Sequence, residues 1–585
     1  MNRGRFKYDY LTGGIFVLIV ILFFQIFYPY HLFFKEQTIL FQNNIDYFLN
    51  YFKKPAWLSC YLGDFFVQFF YFKGGGALIS GLLIGLVWYL AFLSFQKIAP
   101  SILSSSFALL IALSEFFLIL NADYFLSGIW GIIVSLLTFL LWSRISCKQV
   151  SISVLVILVP FIYWIAGSHV FSFLFFVMAC ELNRKHKRKR YFFLGVLVLL
   201  GMAFSMVLRR IYLFTPEQAL TYPYDVENIL IIGLLVWGAV ILYVCLVRVK
   251  RFSSEKVYLI ALLFAVSGGV LGLGYFGDFK REKIFALGSE AYFGNWGKVY
   301  KLAERYELSN SISSYFANLS MVRLGIFPDK VLDFYQPFTK SLFLDVGPKQ
   351  SWIRIFFSNE VYFMLGDMEK AQHSAQLGMI FSPNCRSSRM VRRLAEINIV
   401  LGEYKAAEKY IRMLNNSFFH KDYGRELSLI IKEMKSDCKG NWLFDKRKFL
   451  PDFDVLRKRG EEIPGLELLV QSNSNNSMAL DYLLLYHLLD KDVVAFKRAF
   501  DKYYLQGHTN YPRIYSEALL VGLAKEDQLS RLSAQKYNIS DVTKNRFMNY
   551  TRMFDLSESS FLKLKENFEN SYWFYYHFFG KMRDE

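Results

Sequence analysis

Long apolar runs in the first half of the chain constrain its fold more than any other feature. A helix needs about 18 or more apolar residues to cross a bilayer, and all such runs in this 585-residue chain lie before Gly277. They predict nine spans, near residues 11–29, 77–96, 102–121, 124–142, 151–166, 169–182, 191–208, 229–247 and 257–276. The fifth and sixth are short, and the alternative is one bent helix over 151–182. The chain is therefore predicted to be all-α, with a polytopic membrane domain over residues 1–280.

The basic residues predict the orientation of these spans. With nine spans, sixteen Lys and Arg side chains fall on the N-terminal side of the membrane and six in the loops on the other side. Because cytoplasmic loops carry the excess of Lys and Arg, the N-terminus is predicted to be cytoplasmic and the C-terminal half extracytoplasmic. The basic run over 184–190 is interpreted as a topology anchor that also touches anionic lipid. The net charge of +18 therefore predicts contact with membrane lipids and no nucleic-acid partner.

The connection between the first two spans, residues 31–76, predicts two helices that lie on the membrane surface. In the first, over 34–52, apolar residues recur at steps of three, four and seven, opposite a polar face. The second, over 57–72, is rich in aromatic residues but carries Asp64 and Gln68 on one shared face. Both are too polar to span and too apolar to leave the membrane, so we expect them to present their acidic faces at its surface.

Polar residues that are costly at membrane depth gather on the predicted outer side. The candidate site residues there are Glu36, Asp64, Gln68, Glu115, His169, Arg209 and Arg210. Asp64 and Glu36 are the predicted catalytic residues, because a carboxylate can act as a general base. The other five are predicted to bind substrate, and the paired arginines suit a phosphate by their fork geometry. The structural alternative is that Glu115 only bonds a neighbouring helix and that the arginines only extend to lipid headgroups.

Two further features bear on this outer site. The loop over 215–228 ends in an aromatic and proline-rich sequence, and we expect it to lie over the site as a flap. The six cysteines show no paired spacing, so neither a disulfide framework nor a zinc or other metal site is predicted. The sequence identifies no cofactor.

From Lys280 onward the hydrophobic period becomes that of amphipathic helices. Glycines that end predicted helical segments stand at 294, 325, 366 and 402, at steps of 31, 41 and 36 residues. The best unit runs through Tyr362, Gly366-Asp367, Ala371 and Pro383. It resembles a tetratricopeptide repeat of about 34 residues, which implies stacked helix pairs with a concave binding face. The resemblance predicts tetratricopeptide-like repeats over 281–420, followed by a further helical-repeat domain over 421–585.

Several short sequences resemble a poorly characterised family of bacterial inner-membrane proteins with an extracytoplasmic helical-repeat tail. They are Glu36-Gln37, Lys54-Pro55 and the segments over 61–70 and 479–483. More distantly, the layout is similar to that of C-type glycosyltransferases, which have many spans and an acidic catalytic residue on membrane-surface helices of the first outer loop. The acidic pair that these enzymes carry directly after the first span is replaced here by Tyr30-His31.

These resemblances imply a multi-pass protein of the bacterial inner (plasma) membrane and two competing functions. The first is a glycosyltransferase-like enzyme that uses a polyprenyl-phosphate-linked sugar. Asp64 or Glu36 is then the base or a metal ligand, and Arg209 and Arg210 hold the lipid phosphate. The second is a non-catalytic scaffold of the cell envelope whose repeats bind a partner protein. Transport is less favoured, because the nine spans lack an evident internal repeat. The enzyme is favoured if carboxylates of the first outer loop converge with Arg209 and Arg210 around a lipid-open cavity, and the scaffold is favoured if these carboxylates scatter into solvent.

Overall fold

The structure is a computed structural model. It describes residues 3–145, 148–183, 188–224, 226–248, 255–307, 309–346, 351–435, 441–451, 461–505, 510–525, 536–554 and 558–579. Within these ranges the chain forms helices joined by turns and contains no strand, which confirms the all-α prediction. The basic run predicted as a topology anchor lies outside the described residues, apart from the helical backbone of 188–190.

The chain divides into two compact units. The first comprises Met1–Glu282 together with a short later segment, Leu414–Lys421. The second comprises Lys283–Met413 and Asp422–Glu585. The apolar N-terminal part of the sequence and its amphipathic C-terminal part therefore form separate cores.

The first unit is built from apolar helices. Its described helices are α1 (Arg3–Ile26), α2 (Pro29–Thr38), α3 (Ile45–Tyr51), α4 (Trp57–Val67), α5 (Gly75–Ile98), α6 (Ser104–Ile119), α7 (Ser127–Trp142), α8 (Lys148–Ala166), α9 (His169–Asn183), α10 (Arg188–Tyr212), α11 (Pro216–Thr221), α12 (Val226–Arg248) and α13 (Glu255–Phe276). A helix lies at each of the nine predicted spans. In the part of the chain described, four of them are long and apolar enough to cross a membrane: those over Asp9–Ile26, Gly75–Ile98, Gly195–Tyr212 and Val257–Phe276.

The connection over 31–76 differs from the prediction of one helix over 34–52. Helix α2 ends at Thr38, because Ile39 takes an extended backbone conformation, and α3 begins only after Asn44. The Asn44 side chain accepts a hydrogen bond from the backbone of Tyr47 and caps the new helix. Each half of the predicted segment therefore contains a helix, but the two helices are interrupted over 39–44.

Helices α8 and α9 form two separate elements, as predicted for the fifth and sixth spans. Gly167 separates them and adopts φ +62°, a left-handed conformation that favours glycine. A Cβ atom at this position would lie 2.3 Å from the backbone oxygen of Tyr222. Glycine is therefore required here both for the turn and for the close approach of the 215–228 loop.

The second unit is built from amphipathic helices. Its described helices are α14 (Phe279–Tyr292), which starts in the first unit, α15 (Trp296–Tyr306), α16 (Ser311–Leu324), α17 (Phe327–Lys330), α18 (Trp352–Leu365), α19 (Met368–Ile380), α20 (Ser388–Leu401), α21 (Tyr404–Asn415), α22 (Lys421–Lys435), α23 (Trp442–Arg447), α24 (Glu462–Ser472), α25 (Ser477–Leu489), α26 (Val493–Ala499), α27 (Arg513–Lys525), α28 (Asp541–Met553), α29 (Glu558–Phe568) and α30 (Tyr572–Phe578).

The turns between consecutive helices follow from local sequence. Gly366 ends α18 at φ +92°, and Gly402 ends α20 at φ +82°. Such left-handed termini favour glycine, because it has no Cβ atom. The Asp367 side chain then accepts a hydrogen bond from the backbone of Lys370 and caps α19. At Gly366 and Gly402 the helix–turn–helix pairs therefore form at the positions that the glycines predict.

Candidate functional site

Asp64 lies on α4 and is buried in the first unit. The Tyr51 hydroxyl donates a hydrogen bond to Asp64 Oδ2, and the hydroxyls of Tyr51 and Tyr47 lie 2.7 Å apart. Burial raises the pKa of Asp64 to about 6, although the hydrogen bond from Tyr51 acts in the opposite direction. A carboxylate with a pKa in this range is suited to take up and release a proton near neutral pH.

Close packing positions α4. A Cβ atom added at Gly63 would lie 2.5 Å from the backbone nitrogen of Ser127 in α7. The absence of a side chain at Gly63 therefore lets α4 approach the backbone of α7 directly. Because Asp64 is the next residue along the chain, this contact also positions Asp64 within the unit.

The predicted flap contributes a tyrosine beside Asp64. The hydroxyl of Tyr222, in the 215–228 loop, and the thiol of Cys60 form a hydrogen bond. Burial raises the pKa of the Cys60 thiol, and the negative charge of Asp64 acts in the same direction. Asp64, Cys60 and Tyr222 are thus electrostatic neighbours, with the thiol held in its neutral form.

The structure joins Glu115 and His169 through a pair of tyrosines. The Tyr124 hydroxyl donates to Glu115 Oε2 at 2.7 Å, and His169 Nε2 lies 2.6 Å from the Tyr224 hydroxyl. The two tyrosine rings are stacked, with centroids 5.8 Å apart, and their hydroxyls are hydrogen-bonded. All four side chains are buried, so two predicted substrate-binding residues belong to one internal polar network.

Glu36 and Gln68 lie in different surroundings from Asp64. Glu36 is buried, and its Oε1 lies 2.7 Å from Nε2 of His420, a residue 384 positions later in the sequence. Gln68 donates through Nε2 to the backbone oxygen of Phe65 at 2.8 Å, while its Oε1 is buried without a hydrogen-bond partner. The expectation that the first helix of the 31–76 connection presents its acidic face at the surface is therefore wrong for Glu36.

Arg209 and Arg210 stand at the end of α10. Arg209 is half-buried and Arg210 is exposed. Within the described ranges neither guanidinium makes a hydrogen bond or ion pair, and no contact joins either of them to Asp64, Glu36 or Glu115. The seven predicted residues therefore lie in several local environments and do not share one described contact network. The described residues also contain no group of three or more His, Cys, Asp or Glu side chains that could hold a metal ion.

The second unit contains a charged cavity of about 290 Å³ that the sequence analysis missed. Its cationic lining residues are Arg323, Arg389, Arg392, Arg393 and Lys446, and its acidic ones are Glu360 and Glu396. Aromatic side chains complete the walls: Tyr292, Phe293, Trp296, Phe363 and Trp442. None of the seven predicted residues lines this cavity.

A buried ion-pair network forms one side of the cavity. Glu360 of α18 accepts hydrogen bonds from Arg389 at 2.8 Å and from Arg393 at 2.6 Å. Burial alone would raise the pKa of Glu360, but the charges of Arg393 and Arg389 hold it below its ordinary value. Arg389 also donates to the backbone oxygen of Gly288 at 3.0 Å. Two arginines and one carboxylate are thereby fixed in a rigid arrangement.

Glu396 forms a second cluster of hydrogen bonds, with Arg392 and again with Arg393. It accepts hydrogen bonds from Arg392 Nε at 3.0 Å, from Arg393 Nη1 at 2.7 Å and from the Tyr423 hydroxyl at 2.6 Å. The Arg392 guanidinium also stacks on the rings of Tyr423, at 4.0 Å, and Tyr292, at 4.9 Å. Both contacts hold its plane in one orientation.

The spacing of three arginines in α20 is a sequence signal for this cavity. Arg389, Arg392 and Arg393 follow the i, i+3, i+4 spacing and therefore share one face of α20. The spacing alone is equally compatible with a solvated helix face. Only the contact with Glu360, from a different helix, distinguishes the two cases.

A profile for a family of unknown function (DUF6057) matches residues 6–579, nearly the whole chain. No curated protein and no solved structure matches the chain. Function must therefore be inferred from the chemistry of these residues.

Proposed function

The chain belongs to this family of unknown function (DUF6057), and we propose that it is an integral protein of the bacterial cell envelope whose helical-repeat domain binds a partner protein. The observation that carries the proposal is the cavity in the second unit, where five cationic side chains and five aromatic ones meet. Arginine and aromatic residues are the side chains that most often dominate binding energy at interfaces. In the first unit, in contrast, Asp64 and Glu115 bond to tyrosine side chains and Glu36 bonds to a histidine side chain.

The proposal includes a topology with nine spans, a cytoplasmic N-terminus and an extracytoplasmic repeat domain. Four helices of sufficient length and hydropathy support membrane insertion, and the asymmetry of basic residues supports the orientation. A reporter that is active only outside the cytoplasm is expected to be active when fused after Glu585 and silent when fused at Lys187. The opposite pair of results would reverse the orientation of every loop.

A second candidate function is a glycosyltransferase-like enzyme that uses a polyprenyl-phosphate-linked sugar. It is favoured by Asp64, whose raised pKa of about 6 suits a general base. Glu36 is a weaker candidate for this role, since it is bonded to His420. Arg209 and Arg210 have guanidinium groups available for a lipid phosphate. No described contact joins Arg209 or Arg210 to Asp64 or Glu36, and this function is therefore the second candidate.

Complementation of a deletion strain separates the two functions. If the repeat domain acts by binding, Arg392→Gln abolishes or strongly reduces complementation, and Asp64→Asn retains it, because the amide keeps the shape of the side chain. If the protein is an enzyme at Asp64, the two variants exchange behaviour. Immunoblots of membrane fractions confirm equal protein levels.

Each variant has a matched control. Arg412→Gln removes the same charge from an exposed position of α21 outside the cavity, and Asp46→Asn removes a carboxylate from an exposed position of α3. Both controls are expected to complement fully. Full complementation by Arg392→Gln would contradict the proposed binding function.

A further inference from the structure

We infer that the cavity of the second unit binds a carboxylate group, presented by an acidic side chain of the partner protein. This inference rests on the proposed function, because it names the chemistry that the repeat domain recognises.

The cavity has an excess of positive charge. Its lining contains five cationic side chains and two carboxylates, so the formal net charge of the lining is +3. Burial, together with the charges of Arg323 and Arg393, lowers the pKa of Lys446 to about 8, which still leaves this amine mostly protonated at pH 7. An anion entering the cavity therefore gains favourable electrostatic interactions with groups that are already in place.

Arg392 supplies available donors in a fixed geometry. Its Nε is occupied by Glu396, and the rings of Tyr292 and Tyr423 hold its plane. In the described structure its two terminal nitrogens make no hydrogen bond with the protein. A guanidinium held in this way offers a planar fork of N–H groups, which matches the two oxygens of a carboxylate. Little side-chain entropy is lost on binding, because the fork is already ordered.

The size of the cavity restricts the ligand. At about 290 Å³ it lies just below the roughly 300–1,000 Å³ typical of sites for drug-sized ligands. One acidic side chain fits this volume, whereas a nucleotide sugar or a lipid headgroup with its attached chain is larger. The cavity is therefore suited to a single anchoring side chain.

The aromatic walls suit the remainder of a peptide. Trp442 is 43% exposed, and it lies beside Phe363 with ring centroids 6.1 Å apart. The aliphatic stem of an acidic residue and its apolar neighbours can pack on these rings while the carboxylate reaches Arg392. Charge and apolar surface together favour an acidic peptide over a free inorganic anion.

The test is a binding titration on the full-length protein purified in detergent. The probes are a peptide of alternating Glu and Ala, the same peptide with Gln in place of Glu, and inorganic phosphate. The Glu peptide is expected to bind at least about tenfold more tightly than the Gln peptide, because a hydrogen-bonded charge is lost in the latter. Arg392→Gln is expected to weaken binding of the Glu peptide by a similar factor. Arg392→Lys is expected to recover only part of it, because an ammonium group lacks the planar fork.

Controls separate binding from folding. Arg412→Gln is expected to bind the Glu peptide as the unmodified protein does, and circular dichroism checks that each variant keeps its helical content. If Arg392→Gln does not fold, Lys446→Gln tests the same cavity from α23, with weaker binding of the Glu peptide expected.

Three results would overturn the inference: equal binding of the Glu and Gln peptides, no effect of the cavity variants, or tighter binding of phosphate than of the Glu peptide. Loss of complementation by Arg392→Gln, combined with unchanged binding of the Glu peptide, would reject the carboxylate ligand and leave the proposed binding function in place. Full complementation by Arg392→Gln would instead reject that function.

Discussion

Glu360→Gln is expected to destabilise the second unit by roughly 3–5 kcal/mol, the typical cost of removing one partner from a buried ion pair. Glu360 is 3% exposed and accepts hydrogen bonds from both Arg389 and Arg393. Glutamine preserves the shape but removes the negative charge that Glu360 presents to the guanidinium groups of Arg389 and Arg393, while Arg393 keeps its hydrogen bond to Glu396. Hydrogen exchange of the full chain, followed by mass spectrometry, is expected to be faster in α18 and α20 by about a hundredfold or more.

The control for this prediction is Glu408→Gln. Glu408 pairs with Lys435 at 3.7 Å, but both side chains are about half exposed, and such surface pairs contribute roughly 0–1 kcal/mol. Equal exchange rates in the two variants would contradict the assignment of Glu360 as the centre of the network.

The pH dependence of stability provides an independent check on Glu360. Its pKa in the folded protein lies below the ordinary value of 4.5. The ion pair therefore contributes stability above about pH 4.5, and this contribution is lost as the pH falls through the folded-state pKa. Glu360→Gln is expected to remove this part of the acid sensitivity of α18 and α20.

Gly63→Ala is expected to loosen α4 in the first unit by roughly 1–3 kcal/mol, the usual cost of overpacking. The added methyl group would lie 2.5 Å from the backbone nitrogen of Ser127, and a backbone atom cannot move aside by changing rotamer. Helix α4 must therefore shift away from α7, which is expected to increase the exposure of Cys60, a half-buried residue of α4. Labelling of Cys60 by a maleimide, mapped by mass spectrometry, is expected to be faster by tenfold or more.

A glycine with free space around it is the appropriate control. No atom lies within 4 Å of a Cβ added at Gly238 in α12, so Gly238→Ala is expected to leave the labelling rate of Cys60 unchanged. An unchanged rate in Gly63→Ala as well would show that the contact between α4 and α7 does not hold α4 in place.

None of the residues predicted from sequence lines the cavity of the second unit, and the predicted residues of the first unit lie in several local environments. The cost of placing ionisable groups at membrane depth singled out Glu115 and His169, and the structure places both in one buried network. The same reasoning selected Asp64, which is buried with a raised pKa. It could not supply the tyrosines, because tyrosine is common at membrane interfaces and its hydroxyl partner is not encoded in local spacing.

The sequence by itself determined the helical class and several helix ends. The periodicity of apolar residues, the glycines at 366 and 402 and the cap at Asp367 act within a few residues of one another, so they can be read along the chain.

Tertiary structure alone decided which side chains meet. Glu36 bonds to His420, 384 residues away, and Glu360 bonds to Arg389 from a different helix. Such pairs depend on how whole helices pack, because the free energy of burying a charge is determined by the partner that packing brings to it. A local pattern contains no information about that partner. The sequence alone therefore cannot distinguish the arginine face of α20 from a solvated helix face, although this face lines a charged cavity.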